Sequence, residues 1–149
     1  MKHAFWLTAL CLAAQAWPTA GSAAAQTNDQ ALLNEQLAKV MAQEQPLSDE
    51  DVRIYLENAE AIYRLRFEPE KMEETAKSIT AWTPGRFAYV TTKMAVGLSQ
   101  LLRPEDQRGL NIPEFARPSP PEYTVIRRAQ DELIRTMERL QAKYAPGGP

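Results

Sequence analysis

The sequence predicts an all-α protein: a small up-and-down bundle of four to five helices, with a proline-rich connection before a long C-terminal helix. Three observations lead there. Pro46, Pro69, Pro84 and Pro104 cut the chain into segments, and each segment repeats its apolar residues at helical spacing. No stretch alternates apolar and polar residues as a half-buried strand does, and there is no Asn-Gly hairpin signal. The segment Trp82 to Leu102 is apolar or small around most of its girth, the pattern of a helix with neighbours on several sides.

The first 25 residues read as an export leader rather than as part of the fold. Met1-Lys2-His3 is a short positive start, Ala4 to Ala14 is an apolar run, and Ala23-Ala24-Ala25 satisfies the small-residue rule for cleavage before Gln26. The run falls short of the roughly 20 residues that span a bilayer. Cys11 sits within the run, not after small residues at its end, so a lipid-modified variant is not expected. Cleavage removes 25 of 149 residues, and the loss of Lys2 moves the net charge from −2 to −3. A chain so evenly charged carries no basic excess of the kind that marks nucleic-acid binding. The reading is a periplasmic or secreted protein of one helical domain, residues 26–145, with 146–149 a disordered tail.

Within that domain, residues 31–43 form a short amphipathic helix, with Leu32, Leu33, Leu37, Val40 and Met41 on one stripe and Glu35 and Lys39 opposite. Leu47-Ser48-Asp49-Glu50-Asp51-Val52 then opens a second helix. Ser48 is the N-cap, Asp51 stands at the third helical position, and Leu47 and Val52 flank the cap as a hydrophobic staple. Three acids in a first turn suit the positive end of the helix dipole. They lack the alternating ligands and glycine turn of a calcium loop. The buried stripe of this helix is Val52, Tyr55, Leu56, Ala59, Tyr63 and Phe67, ending near Arg66.

A third helix starts at Glu68-Pro69 and runs to about Trp82, with Met72, Ala76 and Ile79 inward and a solvated face on which Glu73 and Lys77 pair favourably. Thr83 caps the central helix and Pro84 takes its first position, where a missing N–H costs nothing. Phe87, Val90, Met94, Leu98 and Leu101 form its apolar stripe, beside a row of small residues at Ala88, Thr92, Ala95 and Ser99. Arg86, Lys93 and Gln100 form one narrow polar line, expected to meet water or acids on a neighbour. Gly97 in mid-helix costs about 1 kcal/mol against alanine, which close approach by another helix would explain.

Residues 103–121 are the proline-rich connection, pinned by Ile112 and Phe115. Ser119, Pro120 and Pro121 start the last helix, which is expected to run unbroken to about Tyr144. Tyr123, Ile126, Gln130, Leu133, Met137, Leu140 and Tyr144 recur three and four apart, the seam of a coiled coil. Packing on its own bundle and pairing with a second copy both fit that seam.

Function is approached mainly by exclusion. His3 and Cys11 are the only histidine and cysteine, and both leave with the leader. The remaining chain has no imidazole or thiol for Ser-His-Asp or Cys-His catalysis, nor for His/Cys metal sites. No cofactor is expected. The leading expectation is a protein that acts by contact, as an accessory, adaptor or chaperone-like factor. Its partner-contact candidates on the C-terminal seam are Tyr123, Gln130, Met137 and Tyr144. A small-ligand binder is a second expectation, with Trp82, Arg86, Tyr89 and Lys93 as an anionic or aromatic ligand set. A carboxylate-dependent hydrolase of cell-wall type is the third, with Glu57 and Glu60 flanking the second helix's buried stripe as the best-placed acids.

Overall fold

The computed structural model describes residues 28–102 and 112–146. Residues 1–27, which contain the expected leader, 103–111 of the connection and 147–149 lie outside the described residues. What is described is all-helical. Seven α-helices and two 3-10 turns follow one another with no strand among the described residues. The α-helices are α1 (Asn28–Ala42), α2 (Asp49–Glu57), α3 (Ala59–Arg64), α4 (Met72–Ser78), α5 (Pro84–Leu102), α6 (Pro120–Arg128) and α7 (Gln130–Tyr144). The 3-10 turns are Pro69–Lys71 and Glu114–Ala116.

The central helix is α5. It packs against α1, α2, α4 and α6, and the arm carrying the second 3-10 turn lies across it. Phe87, Val90 and Met94 are wholly buried and Leu98 nearly so, as their spacing predicts. Thr83 caps the helix as expected, its hydroxyl oxygen accepting the Arg86 N–H at 3.1 Å. Gly97 is where α6 crosses. A Cβ there would sit 2.4 Å from Ile126 Cδ1, so the missing side chain lets the two helices meet.

Five expectations are corrected by the fold. The second helix is broken at Asn58, whose side-chain amide donates to the Ile54 carbonyl at 2.9 Å and whose backbone leaves the helical region. An asparagine side chain competing for helix carbonyls in this way ends a helix. The third helix stops at Ser78 rather than near Trp82. The C-terminal helix is also two helices, because Ala129 turns to φ −101° and ψ 8° and closes a three-residue bond to Ile126. That bend sets Ile126 against Gly97 of α5 and α7 beside α3, with Val125, Ile126, Leu133, Met137 and Leu140 all in the main core.

The remaining two concern side chains. Phe67, placed on the buried stripe, is 59% exposed, and Leu32 is 53% exposed. The polar line of α5 faces inward: Lys93 is buried and Arg86 half-buried, whereas Ala95 of the small-residue row faces solvent. Counter-charges on neighbouring helices make that burial affordable.

Candidate functional site

Two capping boxes build the polar centre of the molecule. At the start of α2, Ser48 Oγ accepts the Asp51 N–H at 3.2 Å and the Asp51 carboxylate accepts the Ser48 N–H at 3.0 Å. At the start of α6, Glu122 accepts the Ser119 N–H at 2.9 Å in the same arrangement. Each box satisfies helix donors that have no intrahelical partner. Both acids stand at the third position of their helix, and both turn inward onto α5.

Asp51 takes the cationic side of α5 nearer its start. Its carboxylate accepts from the Trp82 indole N–H at 3.2 Å and is forked by the Arg86 guanidinium. Arg86 also donates to the carbonyls of Gln45 and Pro46 and lies 3.6 Å from Glu44, so it ties the α1–α2 connection to α5. Glu122 takes the next cation, with Lys93 Nζ 3.7 Å from its carboxylate. Its other oxygen accepts the Tyr89 hydroxyl at 2.7 Å and the Leu47 N–H at 2.9 Å. The Leu47 bond joins the second box to the residue just before the first. Between the two halves stands the Tyr89 ring, with the Arg86 Cζ 5.1 Å and the Lys93 Nζ 5.3 Å from its centroid.

Glu122 is 2% and Asp51 6% exposed, so their ionisation states follow from what surrounds them. Burial pushes the Glu122 carboxyl up. The Ser119 N–H, the Tyr89 hydroxyl, the Leu47 N–H and Lys93 together outweigh it and hold the group below its ordinary value. Asp51 is likewise raised by burial and brought below its ordinary value by Arg86 and both Ser48 donors. Burial lowers Lys93 against the pull of Glu122. Burial and the Glu122 carboxylate push the Tyr89 phenol well up, so it stays a donor. Among the described residues no buried side-chain nitrogen or oxygen lacks a hydrogen-bond partner. A network so satisfied in a low-dielectric setting stiffens and specifies the packing around it.

Trp82, Arg86, Tyr89 and Lys93 therefore do converge, as their spacing along one helix suggests. The anions they hold are the protein's own Asp51 and Glu122. The residue that sequence reasoning missed is Glu122, although Ser119-x-x-Glu122 is the capping-box spacing that marks it.

The C-terminal candidates do not come together in one place. Tyr123 is half-buried and donates its hydroxyl to Gln100, Gln130 is half-buried at the start of α7, and Met137 is in the main core. Tyr144 belongs to a second constellation at the far end of α7. Its ring lies 5.8 Å from that of Tyr63 and is stacked 6.0 Å from that of Phe67. The Tyr144 hydroxyl donates to Glu60 at 2.7 Å, and Lys143 pairs with the same carboxylate. The Arg66 guanidinium sits 4.8 Å above the Tyr63 ring. Glu57 is apart from these, exposed and paired with Arg53.

A shallow groove of about 490 Å³ runs between α2 and the bend of α6 and α7, floored by Val52, Leu56, Ala129 and Thr136. Its rim carries Arg128, paired with Asp49 at 3.0 Å. Among the described residues, no cluster of carboxylates could hold a metal ion and no helix is long and apolar enough to cross a membrane. Compared with protein-family models, curated proteins and solved structures, the chain matches none.

Proposed function

We propose that this chain is an exported helical protein that works by protein contact, and that its contact face is the aromatic patch of Phe67, Tyr63 and Tyr144. The observation that carries the reading is Phe67. A phenylalanine more than half exposed, yet held by two tyrosine rings each 6.0 Å away, is an apolar anchor that no described residue covers. Aromatic side chains with arginine nearby are the residues that dominate protein-binding energies. Arg66 and Lys143 lie over the neighbouring rings, so the patch is apolar at its centre and charged at its edge.

The export part of the reading rests on the leader expected over the first 25 residues, and the contact role on what the molecule uses its polar groups for. Its buried charges are all spent on holding helices together. The same reading takes the helices as one up-and-down bundle around α5, with α7 packed against α3 so that Tyr144 comes beside Phe67. Glu60, one of the two acids expected to suit hydrolysis, has its carboxyl lowered by Lys143 and the Tyr144 hydroxyl. That suits a fixed carboxylate, whereas a general acid needs a raised one.

Site-specific photo-crosslinking in the native host tests this. A photoreactive phenylalanine at position 67 should yield a discrete protein adduct that the same group at Lys77, on the solvated face of α4, does not. Identical patterns at both positions, or none at either, would overturn the assignment.

A further inference from the structure

We infer that the Glu122–Lys93 pair is an acid-released latch: protonation of Glu122 frees the 112–119 arm from α5 while the Asp51–Arg86 half of the network stays closed. The inference is independent of the contact face.

Two polar ties hold the arm to α5 and α6: Lys93 Nζ donates to the Arg117 carbonyl at 2.6 Å and the Ser119 N–H donates to Glu122. Packing adds to them, with Ile112 and Ala116 buried against Val96, Phe115 packed on that small core and on the main one, and the 3-10 turn lying on α1 as well as α5. Both polar ties pass through the same ion pair. Glu122 faces Tyr89 and Lys93 from α5, the Ser119 N–H from the arm and the Leu47 N–H from the segment before α2. From α2, Asp51 reaches Tyr89 electrostatically but is itself bound to Arg86, and Asp49 is engaged by Arg128 on the outside. The buried side chains of α7 are Leu133, Thr136, Met137 and Leu140, none of them charged.

Every polar neighbour that touches Glu122 is a donor. A carboxylate accepts from all of them, whereas a carboxylic acid must turn its hydrogen to the Tyr89 hydroxyl, the one neighbour able to accept, which then ceases to donate to it. Worse, the neutral acid leaves the Lys93 ammonium 7% exposed with no anion, since Glu122 is the only carboxylate acting on it among the described residues. The ammonium is then left with the Arg117 carbonyl and the face of the Tyr89 ring, and lifting the arm gives it water. Asp51 differs. When it is protonated, Arg86 still has the carbonyls of Gln45 and Pro46 and the nearby Glu44. The two halves look alike but fail differently. Because its donors lower Glu122, release occurs below the ordinary glutamate range of about 4.3.

The experiment is residue-resolved amide hydrogen exchange of the full chain from pH 7 to pH 3, corrected for intrinsic rates, with Trp82 emission read from the same samples. As pH falls, protection at Ala116, Arg117 and Ser119 should drop about tenfold or more while Trp82 emission, tied to Asp51, stays constant. K93M removes the Arg117 bond and the counter-charge of Glu122, so it should lower the arm's protection already at pH 7 and show a smaller further drop in acid. E122Q should open it at pH 7. Loss of protection everywhere together with the Trp82 change would overturn the latch, as would K93M with wild-type protection of the arm at pH 7. If E122Q does not fold, the comparison of wild type with K93M decides alone.

Discussion

Tyr89 donates its hydroxyl to Glu122 at 2.7 Å, and that bond joins the middle of α5 to the first turn of α6 in a site closed to water. The capping acid of one helix thus serves as the tertiary anchor of another. Asp51 repeats the arrangement with Trp82 and Arg86 at the start of α2. Local sequence signals and long-range packing are here carried by the same two carboxylates.

Tyr89→Phe keeps the ring between Arg86 and Lys93 but removes the hydroxyl. Glu122 then lacks one donor in a buried setting, which costs about 1–3 kcal/mol. Urea unfolding should show a lower midpoint with an unchanged slope, the mark of a stability change without altered compactness.

Stability should fall in acid for a defined reason. Asp51 and Glu122 are both depressed in the folded protein. Their contribution is fully present above the unfolded carboxylate values of about 3.9 and 4.3 and is lost as pH falls through the lower folded values. Unfolding free energies measured from pH 7 down to pH 3 should therefore decline below about pH 4.5, and Asp51→Asn should flatten part of that decline.

Two glycines in α5 should respond oppositely to alanine. At Gly97 the new Cβ meets the wholly buried Ile126 at 2.4 Å, with the Pro118 ring 3.4 Å away. Overpacking of that kind costs about 1–3 kcal/mol, more than the roughly 1 kcal/mol of helix propensity gained. At Gly85 the nearest atom is the tip of the Glu44 side chain at 2.9 Å, which can swing aside. Thermal melts should place Gly97→Ala below wild type and Gly85→Ala at or above it.

The aromatic patch separates exposure from stability. Phe67→Ala removes a ring more than half in water and should lower stability by about 1 kcal/mol or less, whereas Tyr63→Ala, at 8% exposed, should cost about 3–5 kcal/mol. Denaturant titrations of both variants check the contrast.

Much of this was legible in the chain. The apolar stripe and caps of Trp82 to Leu102 give α5 almost to the residue, because a helix buried on several sides has few other patterns open to it. The Ser48–Asp51 box is equally plain. What periodicity cannot reveal is where a helix bends, since the seam of Tyr123 to Tyr144 is continuous in sequence although Ala129 breaks it in space. Nor does it show which neighbour supplies counter-charge. Arg86 and Lys93 look like a solvent edge on their own helix, and become interior only because Asp51 and Glu122, 35 residues before the one and 29 after the other, face them. Phe67 fails for the opposite reason. It keeps the helical phase of Tyr63 after the helix has already ended at Arg64.

A double-mutant cycle on Lys93 and Glu122, read by urea unfolding at pH 7, tests most directly whether the buried pair clamps α5 to α6. Removing either partner alone leaves an uncompensated or mismatched buried group, and Lys93→Met should cost about 3–5 kcal/mol. The account predicts that Lys93→Met/Glu122→Gln is more stable than the sum of the single losses by about 1 kcal/mol or more. Additivity within about 0.5 kcal/mol would contradict it.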